Sequence, residues 1–230
     1  MADYVSNYSG DQIDEAVGRA LPGGALDTGK APAGFGLGSA STDKIITSKA
    51  ELDAIRVNGW CYYSSTEPLV NEANARYATI RTDTSGRTVT QTAYLFLSTL
   101  YQNCTLQRTL LDTVASTEWG AWEWVNPPMI LGWEYRTTER YLGKPVYARV
   151  INAGYLPNAS GKYVEHGIAN IQQVVDAKLL CTNADVAGDY TSVKSVTGFG
   201  VDKWAYYFDT SDDRSTYTAN IVMKYTKTTD

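Results

Sequence analysis

The sequence predicts a mainly β fold, with a short helix at the N-terminus, a small β-domain in the middle and an antiparallel β-sandwich or jelly-roll-like domain at the C-terminal end. Three observations carry this. Tyr occurs 17 times and Trp 6 times against 4 Phe, 3 Met and 1 His, a bias suited to pleated sheets and binding faces. Runs of β-branched and aromatic residues recur between clusters of Gly, Asn and Asp. Along 217–225, Tyr217, Ala219, Ile221, Met223 and Tyr225 alternate with Thr218, Asn220, Val222 and Lys224, the period of a strand with one apolar face. A chain of 230 residues has room for one large or two ordinary domains.

Composition excludes several classes. Hydrophobic residues make up 43% and charged residues 20%, as in ordinary globular chains. A net charge of −5 and a pI near 5.0 oppose a nucleic-acid partner, which calls for concentrated Lys and Arg. No run approaches the roughly 20 apolar residues that span a bilayer, and the opening MADYVSNYSGDQ lacks the basic and apolar regions of a secretory signal. The expectation is a product made in a bacterial cytoplasm without membrane insertion. Cys61, Cys104 and Cys181 are odd in number and far apart, which reads as buried, reduced thiols.

In chain order, Ser9 and Gln12 are spaced as a capping box opening a helix over 9–21. Its apolar residues Ile13, Ala16, Val17, Ala20 and Leu21 share one face, and Pro22-Gly23-Gly24 ends it. A helix this short is marginal alone, so the stripe must dock on its own domain or on copies of itself, an oligomerisation seam. Residues 25–42 are rich in Gly and Pro and read as a linker or collar, separating segment 1–24 from a first β-domain at 43–128. Within it, Ser48 and Glu51 form a second capping box for a short helix near 47–53. Strands follow at 59–63, 75–83, 87–97 and 103–111, with Thr84-Ser85-Gly86 as a hairpin turn and WGAWEW at 119–124. Pro127-Pro128 cannot continue a central strand and mark a border. The last domain, 129–230, carries strands at 144–156, 162–168, 174–182, 202–210 and 216–226, with 211–215 read as a hairpin loop between the last two.

Catalytic chemistry finds little support. His166 is the only histidine, with no G-x-S-x-G context, and reads as structural. One His and three scattered Cys offer no zinc set, and Gly34-Phe35-Gly36-Leu37-Gly38 neither follows a strand nor opens a helix as a phosphate cradle would. No metal, cofactor or catalytic residue is therefore expected. Glu118, Glu123, Glu134 and Glu139 lie among tryptophans as carboxylates for glycan cleavage would, but Glu134 and Glu139 point to opposite faces of one strand. Most aromatics read as core. The loop-borne set Tyr101, Asn103, Tyr190, Tyr207 and Asp212, with neighbours Asp189 and Asp213, provides the receptor-binding candidates, because loop tips on rigid β scaffolds carry recognition.

Several strings are similar to known proteins. YSGDQIDEAVGRAL and GKAPAGFGLG at 29–38 resemble the N-terminal part of phage and prophage tail fibre proteins. The middle segment, with Trp60, RTVTQTAYLF, Trp119 and Trp122, resembles the knob-like β-domains of tail fibres and phage-tail bacteriocins. YLGKPVYARVINAGYLPN, VEHGIANI and YTANIVMKYTKTTD resemble C-terminal domains of phage tail and structural proteins. The resemblance implies a homotrimeric virion appendage joined to other virion proteins through its N-terminus and attaching to a bacterial surface glycan or protein. It also admits a purely structural virion component, such as a head fibre, connector or baseplate accessory, and a polysaccharide depolymerase.

Overall fold

Period-two alternation of burial is clearest in the described strands between Gly59 and Leu110. The computed structural model describes residues 45–71, 75–96, 100–111, 118–183, 187–189, 196–201 and 205–229. The helix expected at 9–21, with its stripe Ile13, Ala16, Val17, Ala20 and Leu21, the collar and Tyr190 lie outside the described residues. Two units form, one from residues 1–98 and 108–120, the other from 99–107 and 121–230. Pro127-Pro128 fall inside the second.

The first unit opens with β1 (Ile45–Ile46) and α1 (Lys49–Asp53), followed by β2 (Gly59–Ser64), β3 (Tyr77–Ser85) and β4 (Thr88–Leu95). Ser48 caps α1 by accepting from the Glu51 amide at 3.2 Å, while the Glu51 carboxylate reaches back to the Thr47 amide at 2.9 Å. The capping box thus closes one residue earlier than its spacing suggests. So short a helix cannot stand on hydrogen bonds alone; Leu52, fully buried, anchors it. β1 runs parallel to β2, and β2, β3 and β4 are antiparallel neighbours. Ser85 pairs with Thr88, so the turn is Gly86-Arg87, and Thr84 and Ser85, expected in the turn, still belong to the strand. Gly86 takes φ +59°, which costs a residue without Cβ little. Cys61, Tyr63, Ala78, Ile80, Val89, Ala93 and Leu95 face the core.

A polar network runs through that core. Arg108, on β5 (Thr105–Leu110), donates from Nε and Nη2 to Gln91 Oε1 at 3.0 and 2.7 Å, and Nη2 lies 2.5 Å from Asp53. Gln91 in turn donates to the carbonyls of Leu52 and Ile55 at 3.0 and 3.2 Å, tying the end of α1 to β4. Trp119 donates to the Asp53 carbonyl at 3.0 Å and lies under the guanidinium, 4.3 Å from ring centroid to Cζ. Burial holds the Arg108 pKa below its usual value, and Asp53 partly offsets it.

In the second unit, β6 (Glu123–Trp124), β7 (Glu134–Tyr141), β8 (Lys144–Tyr155), β14 (Thr218–Lys227), β10 (Ile171–Thr182) and β11 (Ala187–Asp189) lie side by side in that order. A smaller sheet has the order β12 (Val196–Val201), β13 (Ala205–Thr210), β9 (Gly161–Glu165). Between them lies a core of Ile151, Leu179, Tyr206, Ile221, Met223 and Tyr225, with Val164 packed against it. Of the apolar face read along 217–225, Ala219, Ile221, Met223 and Tyr225 are buried and Tyr217 is half-buried against the same core. The expected hairpin at 211–215 does not form. β13 pairs with β12 and β9, whereas β14 pairs with β8 and β10, so this loop crosses between sheets. Both strands bear one apolar face, and that face sets burial without choosing the neighbour.

Two phenols in this core make a pH prediction. Tyr206 donates to Met223 Sδ at 2.6 Å, and Tyr225 donates to Glu134, which is also bound by Lys227 at 2.5 Å. Burial raises both pKa values above the ordinary 10.0, and the hydrogen bond to Glu134 adds to the rise at Tyr225. Because the folded values exceed the unfolded one, stability is at its full value below pH 10 and is lost as pH rises above it. Each phenol contributes a slope of about 1.4 kcal/mol per pH unit. Urea midpoints from pH 8 to 11 should fall steeply past 10, and Tyr206→Phe should flatten the fall; an unchanged slope in that variant would remove Tyr206 from the account.

Candidate functional site

On the first unit, alternation turns one face of the β2–β3–β4 sheet to solvent. A face of this kind is normally polar. Here Trp60, Tyr94 and Phe96 remain 38%, 40% and 45% exposed. Register places Trp60 beside Arg81 and Tyr62 beside Thr79, with Tyr94 on the far side of Thr79. The rings then meet across the central strand, where small Thr79 leaves room. Trp60 stacks with Tyr94 at 5.9 Å and Tyr62 with Phe96 at 5.7 Å, with interplanar angles of 26° and 21°. Arg81 pairs with Asp83 at 2.8 Å and lies 5.9 Å from the Trp60 centroid. The result is a ladder of half-exposed aromatic rings with a charged pair at its side, able to stack on flat apolar groups while offering polar contacts. The sequence marked GWCYY and RTVTQTAYLFL as strands but not as a surface, because the meeting of residues 60 and 94 depends on pairing.

The loop candidates divide. Tyr101 is only 1% exposed and stacks on Trp124 at 6.1 Å, so its ring belongs to the core of the second unit and is withheld from a receptor. Its polar neighbours suggested a loop tip, and the segment is a turn, but one closed over an aromatic cluster. Asn103 is exposed, with φ +65°, and its carbonyl accepts from Asn126 Nδ2 at 2.7 Å. Asp212 is exposed in the crossover loop, 3.8 Å from Arg214. Tyr207 is on strand β13 opposite Tyr163 of β9, with centroids 4.8 Å apart, and Tyr163 is 74% exposed. The Tyr207 phenol pKa lies above its ordinary value through desolvation first, then the charge of Asp209, to which it is hydrogen-bonded.

Three of the four carboxylates weighed for glycan cleavage are held by cations. Glu123, 8% exposed, receives Arg136 Nε at 2.8 Å and Arg140 Nη2 at 2.7 Å. Glu134 is bound by Lys227 and Tyr225, and Glu139 by Lys224 at 2.6 Å. Tyr225 and Lys227 lie on one face of β14 and Lys224 on the other, in keeping with the opposite faces read for Glu134 and Glu139. A general acid needs a free approach to a leaving group, and these cation contacts occupy the carboxylate oxygens. His166, 4% exposed, accepts the Ile168 amide on Nδ1 at 3.2 Å and sets its ring edge-on to Tyr206 at 5.6 Å. Among the described residues no group of His, Cys, Asp and Glu could hold a metal ion, and no helix is long and apolar enough to cross a membrane. Cys61, Cys104 and Cys181 are each buried.

No family model and no curated protein matches the chain. Two solved structures do. An N-truncated R2-type pyocin tail fibre is 11% identical, with a TM-score of 0.26 over 76% of this chain and 92% of that one. A C-terminal portion of the P. aeruginosa R2 pyocin fibre is 9% identical, with a TM-score of 0.29 over 85% of this chain and 68% of that one.

Proposed function

We propose that this chain is a non-catalytic, surface-binding subunit of a phage-tail-like appendage, attaching it to a glycan or protein on a bacterial cell. The aromatic ladder of Trp60, Tyr62, Tyr94 and Phe96 carries the reading. Exposed rings on a rigid sheet bury large area at small entropic loss, which suits repeated, weak attachment. The ion-paired state of Glu123, Glu134 and Glu139 favours binding over cleavage. Self-association through Ile13, Ala16, Val17, Ala20 and Leu21 into a homotrimer would present three ladders at once, and the effective concentration of neighbouring sites would raise avidity without any new contact.

The test is sedimentation of labelled protein with cells of a panel of bacterial strains. Full-length protein should co-sediment with at least one strain and weigh as a trimer by light scattering; Trp60→Ala with Tyr94→Ala should lower cell-bound protein about tenfold, as should removal of residues 1–24. Retention by no strain would overturn the reading, and full retention by the double variant would exonerate the ladder.

A further inference from the structure

β12 reads Val196-Thr-Gly-Phe-Gly-Val201, and glycine inside a strand weakens it unless something must come close to the backbone. Register sets Gly200 beside Tyr207 and Gly198 beside Asp209, while Phe199 pairs with Phe208 and Val201 with Tyr206. Tyr206 is fully buried, so Gly198 and Gly200 belong to the face of this sheet that points away from the core. On the other side of β13, Gly161 of β9 pairs with Asp209 and Tyr163 with Tyr207. A Cβ on Gly161 would stand 2.7 Å from the Tyr207 hydroxyl and 2.8 Å from its Cε2. The phenol therefore fills the space over Gly161, which no other residue would leave open. On one side of β13 the Tyr207 phenol thus covers Gly161, and on the other two glycines of β12 share the face of Tyr207 and Asp209.

We infer that this outer face is a sugar-ring site: Gly198 and Gly200 form a floor, Tyr163 and Tyr207 supply stacking faces, and Asp209 accepts hydroxyl hydrogens. The occupant is a neutral or amino-bearing glycan. Pyranose rings have apolar faces for tyrosine and hydroxyl rims for a carboxylate, and the nearby Glu165, exposed on the same face, repels acidic sugars while favouring an amine. Gly161 is a positioning residue, acting through Tyr207. This site rests on the surface-binding reading above and gives it a ligand class.

The experiment is an array of immobilised neutral, amino-bearing and acidic bacterial-type glycans, probed with the full chain, Tyr207→Ala, Gly161→Ala and Trp60→Ala. The atoms a Gly161 methyl would meet are the far end of a side chain, so this variant should keep its circular dichroism and melting midpoint while displacing the phenol. Binding to neutral or amino-bearing glycans is expected, weakened about tenfold by both Tyr207→Ala and Gly161→Ala, with Trp60→Ala changing it less. Selective binding of acidic glycans, or equal binding by Tyr207→Ala and Gly161→Ala, would overturn the site while leaving the surface-binding reading in place. A blank array beside positive cell sedimentation would do the same; a blank array with no cell binding would remove both.

Discussion

Trp124→Ala is expected to lower the stability of the second unit by about 4 kcal/mol, near the upper range for emptying a buried aromatic site. Trp124 is 2% exposed in a two-residue strand whose neighbours are Leu106 on one side and Thr137 on the other. Its ring stacks on Tyr101 at 6.1 Å and meets Tyr135 edge-on at 5.5 Å. The Tyr135 hydroxyl oxygen also accepts the Ile130 amide at 3.0 Å. Truncation removes the ring that both tyrosines pack against, and so short a strand has few ladder bonds to hold the gap open or closed. Urea unfolding followed by circular dichroism measures the loss. A change below about 1 kcal/mol would mean the cluster collapses around the gap, and that Trp124 fills space without organising it.

Arg108→Ala is expected to cost the first unit about 3 kcal/mol. Its side chain is 6% exposed and its ion-pair partner Asp53 44% exposed, so the Coulombic share is screened. The larger loss is at Gln91, fully buried, whose Oε1 would keep no guanidinium partner; an unsatisfied buried acceptor costs about 1 to 3 kcal/mol. The stacking on Trp119 goes too. Asp53→Asn separates the contributions, because it removes the charge while leaving the Arg108 to Gln91 bonds in place; it should cost less than about 1 kcal/mol. If the two variants melted alike, the ion pair and not the amide would hold the core.

What the sequence discloses here is local. Alternation marks Ala219, Ile221, Met223 and Tyr225 as one buried face, and a spacing of three marks Ser48 and Glu51 as a helix start; both are settled within a few residues. Pairing is settled elsewhere. That 211–215 crosses between sheets, that Trp60 meets Tyr94, and that Gly198 lies beside Asp209 all depend on register between distant segments, and the same strands with other partners would show the same alternation. Tyr101 shows the limit for sites. Its setting among Gln102 and Asn103 is polar in sequence, yet an aromatic on a turn is buried whenever another ring, here Trp124, lies beneath it. Tyr207 reads in sequence as loop-borne among polar neighbours, yet it lies on β13; the glycines that share its face belong to two other strands and come beside it only once those strands are aligned.

The position of β14 has a consequence for the order in which the molecule is built. It lies between β8 and β10, with Ile221 opposite Ile151 on one side and Leu179 on the other. Both neighbours leave the ribosome long before it. Until the segment through Lys227 emerges, β8 and β10 each carry an open edge and an uncovered apolar face, and neither can be sealed by the other. This half of the chain must therefore wait, unclosed, for its central strand, a state prone to capture by chaperones or by other nascent copies.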